Sequence, residues 1–129
     1  MYRRESIVRL RLWLETGEGM LFGAGRAELL EEIERSGSLK RAAQNLGISY
    51  RAAWGKLKQS ERALGVCLIR KRSNRAGYQL TEEGLALTRL FRRWYAAVEQ
   101  AALREARAIF PWKIVEFDER PWDEERETA

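Results

Sequence analysis

The hydrophobic positions change period along the chain, and each change marks an element. From Ser6 to Glu15, Val8, Leu10, Leu12 and Leu14 alternate with Arg9, Arg11 and Trp13, the two-residue period of a half-buried strand. Thr16-Gly17-Glu18-Gly19 turns the chain, and Met20-Leu21-Phe22 either returns as a short strand or lies across the core. The period then lengthens. Leu29, Leu30 and Ile33 fall on one face of a helix from about Arg26 to Arg35, with Glu28, Glu31, Glu32 and Glu34 mostly outward. Ser36-Gly37 ends that helix, and Ser38 caps the next.

The segment SGSLKRAAQNLGISYRAAWGKLKQSERALG, from Ser36 to Gly65, keeps helical spacing on both sides of a tight turn. Leu39, Ala42, Ala43 and Leu46 share one face before the turn, and Ala53, Trp54, Leu57 and Leu64 share one after it, with Ile48 as a plug between. Gly47 supplies a left-handed helix end and Ser49 a cap for the following helix. The alanines let two steeply crossing helices approach closely, which is helix-turn-helix geometry.

Two short strands are expected next, Cys67 to Lys71 and Gly77 to Leu80, joined by the polar, basic connector Arg72-Ser73-Asn74-Arg75-Ala76. This is a hairpin wing. Thr81 then caps a long helix to about Ala108, whose Leu87, Leu90, Phe91, Trp94, Val98 and Ala101 or Ala102 form an apolar stripe. The stripe runs past what a small domain needs to cover, and the expected occupant of the excess is a second copy of the chain. Pro111 stops the helix. The residues from 109 to 129 form an aromatic and then acidic tail, its first part docked or a short strand and its end disordered. The expected architecture is mainly α with a small β component: a winged helix-turn-helix over residues 1–108, with an N-terminal strand and a long C-terminal dimerisation helix from about 81 to 108.

Charge sharpens this picture. The 129 residues carry a net charge of only +5, but its placement is uneven. Between Ser36 and Leu80 there are ten basic residues, Lys40, Arg41, Arg51, Lys56, Lys58, Arg62, Arg70, Lys71, Arg72 and Arg75, against the single acid Glu61. From Ile109 onward three basic residues face seven acidic ones. A basic excess concentrated on a helix-turn-helix points to a polyanionic partner. An enzyme is discouraged: there is no histidine, one cysteine, no phosphate-binding glycine loop and no cluster with metal-ligand spacing, so no catalytic residue, cofactor or metal is expected. Cys67 lies in an apolar run and is expected to be a small buried hydrophobe in a reducing cytoplasm. No segment approaches the length of a membrane span.

With these motifs placed, the chain resembles the N-terminal DNA-binding domain of the ModE family of molybdate-responsive transcriptional regulators. The similarity covers roughly Ser6 to Ala108 and is densest in SGSLKRAAQNLGISYRAAW. A looser similarity to LysR-type winged helices shares the order SGSLKRAAQNLGIS and the LTEEG that opens the long helix. The ModE resemblance implies a winged-helix homodimer that binds a palindromic operator and often represses molybdate-transport genes. Full-length members carry molybdate-binding modules. Here only about twenty residues follow the long helix, so molybdate binding is not expected in this chain.

Ser49 to about Leu64 would span roughly 24 Å as a helix and place its first turns in a major groove. With Ala53, Trp54 and Leu57 inward, Tyr50, Arg51, Ala52, Gly55, Lys56 and Gln59 face out. Arg51 matches the O6 and N7 acceptors of guanine with its fork of donors. Tyr50 suits a phosphate or a base edge, Lys56 a phosphate, and Ser49 a phosphate or simply a cap. Arg72 and Arg75 in the wing and Lys40 at the start of the second helix complete the candidate DNA contacts. Leu90, Phe91, Trp94 and Val98 either close the core or form the dimer seam, and the seam is favoured because a twofold dimer reads two half-sites. The rival function is a winged-helix protein-interaction module without specific DNA binding.

Overall fold

The computed structural model describes residues 4–116. The elements follow in the order β1 (Ser6–Ile7), β2 (Trp13–Thr16), β3 (Gly19–Gly23), α1 (Ala24–Ser36), α2 (Leu39–Leu46), α3 (Tyr50–Leu64), β4 (Ile69–Lys71), β5 (Tyr78–Leu80), α4 (Glu82–Ile109) and β6 (Ile114–Val115). They divide between two compact units: Leu12–Trp94, and a smaller one of residues 4–11 with 95–116.

The larger unit is a winged helix-turn-helix, as the hydrophobic pattern requires. Leu29, Leu30 and Ile33 of α1, Leu39, Ala42 and Ala43 of α2, and Ala53 and Leu57 of α3 are all buried. The three alanines lie where the helices meet, and each is at most 1% exposed. Removing apolar surface on this scale from water is the main favourable term in folding. The hairpin of β2 and β3 pairs Thr16 with Gly19 across its turn and carries an irregularity between Leu14 and Glu15, where Leu21 is the extra residue on β3. The return strand left open by the sequence therefore exists. It buries Phe22 completely, and the Phe22 ring meets Phe91 of α4 edge to face at 5.5 Å.

The LTEEG motif has a packing reason. Thr81 Oγ1 accepts the Gly84 N–H at 3.1 Å and donates to the Cys67 carbonyl at 2.7 Å, while the Thr81 N–H donates to the Leu68 carbonyl at 3.0 Å. The first turn of α4 rests so closely on Leu68 that a β-carbon at position 84 would collide with the Leu68 carbonyl.

In the smaller unit β1 runs parallel to β6, with Ser6 opposite Ile114 and Ile7 opposite Val115. The Trp112 indole N–H donates to Ser6 Oγ at 2.8 Å, and the Tyr95 hydroxyl donates to the Leu10 carbonyl at 3.1 Å. Leu103 and Ile114 are buried.

Three expectations are corrected. The single strand from Ser6 to Glu15 is two strands, because only its ends pair with another strand; half-buried Val8, Leu10 and Leu12 still alternate with exposed Arg9 and Arg11. Cys67 is exposed, since Leu68 and Ile69 take the buried positions beside it. Trp54 is half-buried, and the inward face of α3 continues instead through Ser60 and Glu61. The aromatic stretch after Pro111 supplies β6. The acidic residues expected to be disordered lie outside the described residues.

Candidate nucleic-acid interface

The turn between α2 and α3 is built from its caps. Gly47 has φ +69°, where a side chain would be strained, and its N–H closes α2 on the carbonyls of Ala43 and Gln44. The Ile48 N–H follows with a bond to the Ala43 carbonyl at 3.0 Å. Ser49 Oγ then accepts the Ala52 N–H at 3.0 Å and opens α3. Ser38 does the same for α2, accepting the Arg41 N–H at 3.1 Å.

The outward face of α3 carries Tyr50, 48% exposed, and exposed Arg51, Ala52, Gly55 and Lys56. Lys40 and Arg41 are exposed in the first turn of α2. Gln59 is different. Its Oε1 accepts from Arg26 Nη2 at 2.5 Å, which turns the carboxamide toward α1 and away from the face it was expected to share with Arg51.

The lone acid of the basic segment is withdrawn from this surface. Glu61 is buried, its Oε2 accepting the Leu68 N–H at 2.7 Å and its Oε1 pairing with Lys58 Nζ at 3.0 Å. Lys58 also stands 4.5 Å from the centre of the Trp54 ring. The exposed cations of α2 and α3 thus have no acidic neighbour from their own segment, and the positive potential reaches solvent largely uncancelled.

The wing pairs Ile69 with Leu80, Arg70 with Gln79 and Lys71 with Tyr78. Arg75 is exposed in the connector, next to Asn74 at φ +60°. Arg72 is half-buried, with its guanidinium packed over Gly37, so the two arginines chosen from the sequence do not share one environment. Gly77 has φ +103°, and a β-carbon there would strike the Gly37 carbonyl.

Arg26 has no sequence signal and holds α3 in place. Its Nη1 donates to the Met20 carbonyl and to Ser60 Oγ, both at 2.8 Å, joining α1, β3 and α3. Desolvation by burial pulls its pKa below the ordinary arginine value, and these bonds offset that cost while the group stays charged. An arginine just after Gly23 and Gly25 resembles any helix-opening surface residue.

Of the residues chosen for the seam, Leu90 is 60% exposed and Phe91 is only 3% exposed against Phe22. Trp94 is half-buried with its ring 5.9 Å from Phe91, and Val98 is half-buried. Among the described residues no helix is long and apolar enough to cross a membrane, and no group of three or more metal-ligating side chains occurs.

Residues 25–85, from α1 through the wing to the first turn of α4, match the family of bacterial regulatory helix-turn-helix proteins of the lysR type. The segment is a LysR-type helix-turn-helix domain. A curated relative is the molybdenum transport protein ModE of Azotobacter vinelandii, 35% identical over 85 residues, which are 64% of this chain and 32% of that protein. The chain thus spans about a third of the length of the relative it matches. Among solved structures, the CbnR DNA-binding domain in complex with DNA aligns with a TM-score of 0.55 and 22% identity, covering 67% of this chain and 97% of that one. The BenM DNA-binding domain at catB site 1 DNA aligns with a TM-score of 0.50 and 19% identity, covering 65% and 92%. The LysR-type domain shares its winged fold with both. Its sequence kinship reaches both the LysR and the ModE groups, in agreement with the ModE resemblance, densest in SGSLKRAAQNLGISYRAAW, and the looser LysR one carried by SGSLKRAAQNLGIS and LTEEG.

Proposed function

We propose that this chain is a sequence-specific regulator of transcription that binds double-stranded DNA as a homodimer on a palindromic operator, acting as a repressor in the cytoplasm. The observation that carries this is the exposed basic face of a LysR-type helix-turn-helix whose single local acid is turned inward. Two neighbours of the same fold are themselves complexes with DNA.

In this proposal α3, about 22 Å long at 15 residues, enters the major groove with its first turns. Arg51 reads guanine with two donors, Tyr50 and Lys56 hold phosphates, and Ser49 fixes the helix start. Lys40 anchors the backbone at α2, and Arg75 reaches the flank from the wing. Gln59 and Arg72 support these contacts without making them. Exposed Leu90 with Trp94 and Val98 supports a seam between two copies, while Phe91 belongs to the core of each. No residue of the chain is assigned to molybdate.

The test is selection of bound fragments from genomic DNA, followed by salt titration on the recovered site. A palindrome is expected, with affinity falling steeply as salt rises, log K dropping by about 0.9 per phosphate neutralised for each unit of log salt. Recovery of no common sequence, or an affinity indifferent to salt, would favour the protein-interaction module.

A further inference from the structure

A hairpin with three residues in each strand does not hold an orientation by itself. Here the wing is fastened at its base to two helices. Toward α1, the Tyr78 N–H donates to the Gly37 carbonyl at 3.0 Å, and the Arg72 guanidinium packs over Gly37. Toward α3, the Tyr78 ring meets the Trp54 ring at 6.2 Å with the planes inclined by 55°. Lys58 lies against the same Trp54 ring and is neutralised by Glu61. Glu61 in turn holds the Leu68 N–H one residue before β4 begins.

Half-buried Trp54 therefore has a role other than closing the core. It lies three residues after Arg51 on α3, so the ring that touches the wing and the backbone that carries Arg51 belong to one helix. Lys58, engaged by an aromatic face and a carboxylate, links Trp54 to Glu61.

We propose that Trp54 and Tyr78 are positioning residues that set the offset between Arg51 on α3 and Arg75 in the wing connector. The wing then meets phosphates at a fixed distance from the base pairs under α3. This inference rests on the DNA-binding function proposed above and adds to it the device that sets its geometry. Neither ring needs to touch DNA for this.

Hydroxyl-radical footprinting and salt titration of the full chain on its selected site test it. The unaltered protein should protect a central stretch and a separate flank. Tyr78→Ala should lose the flank and keep the centre, with a salt slope shallower by about 1 for each phosphate that the wing no longer neutralises. Tyr78→Phe keeps the ring and should keep both. Trp54→Leu should reproduce the Tyr78→Ala footprint, and serves alone if Tyr78→Ala does not fold. In an Arg75→Ala background, adding either ring substitution should weaken binding by less than about twofold, because the ring acts through Arg75. A folded ring variant with the full footprint and slope, or full multiplicative losses in the double variants, overturns the inference. Binding by the unaltered protein with no flank protection overturns the inference alone; absence of any DNA binding overturns the proposed function with it.

Discussion

Arg26→Ala is the substitution that most directly asks what orients α3. Arg26 gives two bonds of 2.8 Å to Met20 O and Ser60 Oγ and one of 2.5 Å to Gln59 Oε1. Ser60 is 1% exposed and Arg26 itself 8%, so water does not readily replace the guanidinium. Leaving a buried acceptor without its partner costs about 1 to 3 kcal/mol. Two such groups, the Met20 carbonyl and the Ser60 hydroxyl, would bring the loss to about 2 to 4 kcal/mol, because the hydroxyl can rotate toward another acceptor and the arginine recovers its own hydration in the unfolded chain. That is a large part of the roughly 5 to 15 kcal/mol that stabilises a domain. Urea unfolding followed by tryptophan fluorescence and circular dichroism would measure it, and Ser60→Ala in a double-mutant cycle should recover a coupling of about 1 kcal/mol or more. Because the pKa is lowered by desolvation and the group remains charged, the loss should be constant between about pH 5 and 9. A loss under about 0.5 kcal/mol with an unchanged m-value would show that the three bonds merely balance the cost of burying the charge.

Arg51→Ala should cost about 1 to 3 kcal/mol on the selected site and relax preference at one base pair, whereas equal weakening on random DNA would make Arg51 a phosphate contact. Gly77→Ala adds a β-carbon against the Gly37 carbonyl at φ +103°, so it should destabilise the domain by about 1 to 3 kcal/mol; an unchanged urea midpoint would mean that the wing shifts freely. Trp94→Asp should yield a monomer or an unfolded chain by light scattering, and an intact folded dimer would refute the seam.

The parts legible in the sequence are those written locally. Ser38, Gly47 and Ser49 terminate helices through their own backbone conformations and one side-chain bond, so their neighbours in space hardly matter. The same holds for the exposed part of the connector from Ser73 to Ala76 and for the alternation of Val8, Leu10 and Leu12 with arginines. Helical spacing also placed Tyr50, Arg51 and Lys56 on the side of α3 opposite Ala53 and Leu57, where the fold leaves them exposed.

What the sequence left open depended on partners far along the chain. Gln59 and Lys56 look equally outward on a helical projection, yet only Gln59 comes within reach of an arginine on α1. Arg26 reads as a surface charge until Met20 and Ser60 converge on it. The pairing of β1 with β6, and the bond from Trp112 to Ser6 across 106 residues, have no local signal at all. Cys67 and Leu68 are neighbours of similar hydrophobicity, and their opposite exposures follow from the way Thr81 and Gly84 seat α4 on the backbone between them. The helix-turn-helix, its wing and its charge were thus determined by short-range backbone chemistry and periodicity. The choice of which cations remain free, and which are consumed in holding the domain together, was made only when distant segments packed, because a hydrogen bond to a buried arginine or a contact with a glycine carbonyl exists only once both partners have been brought together.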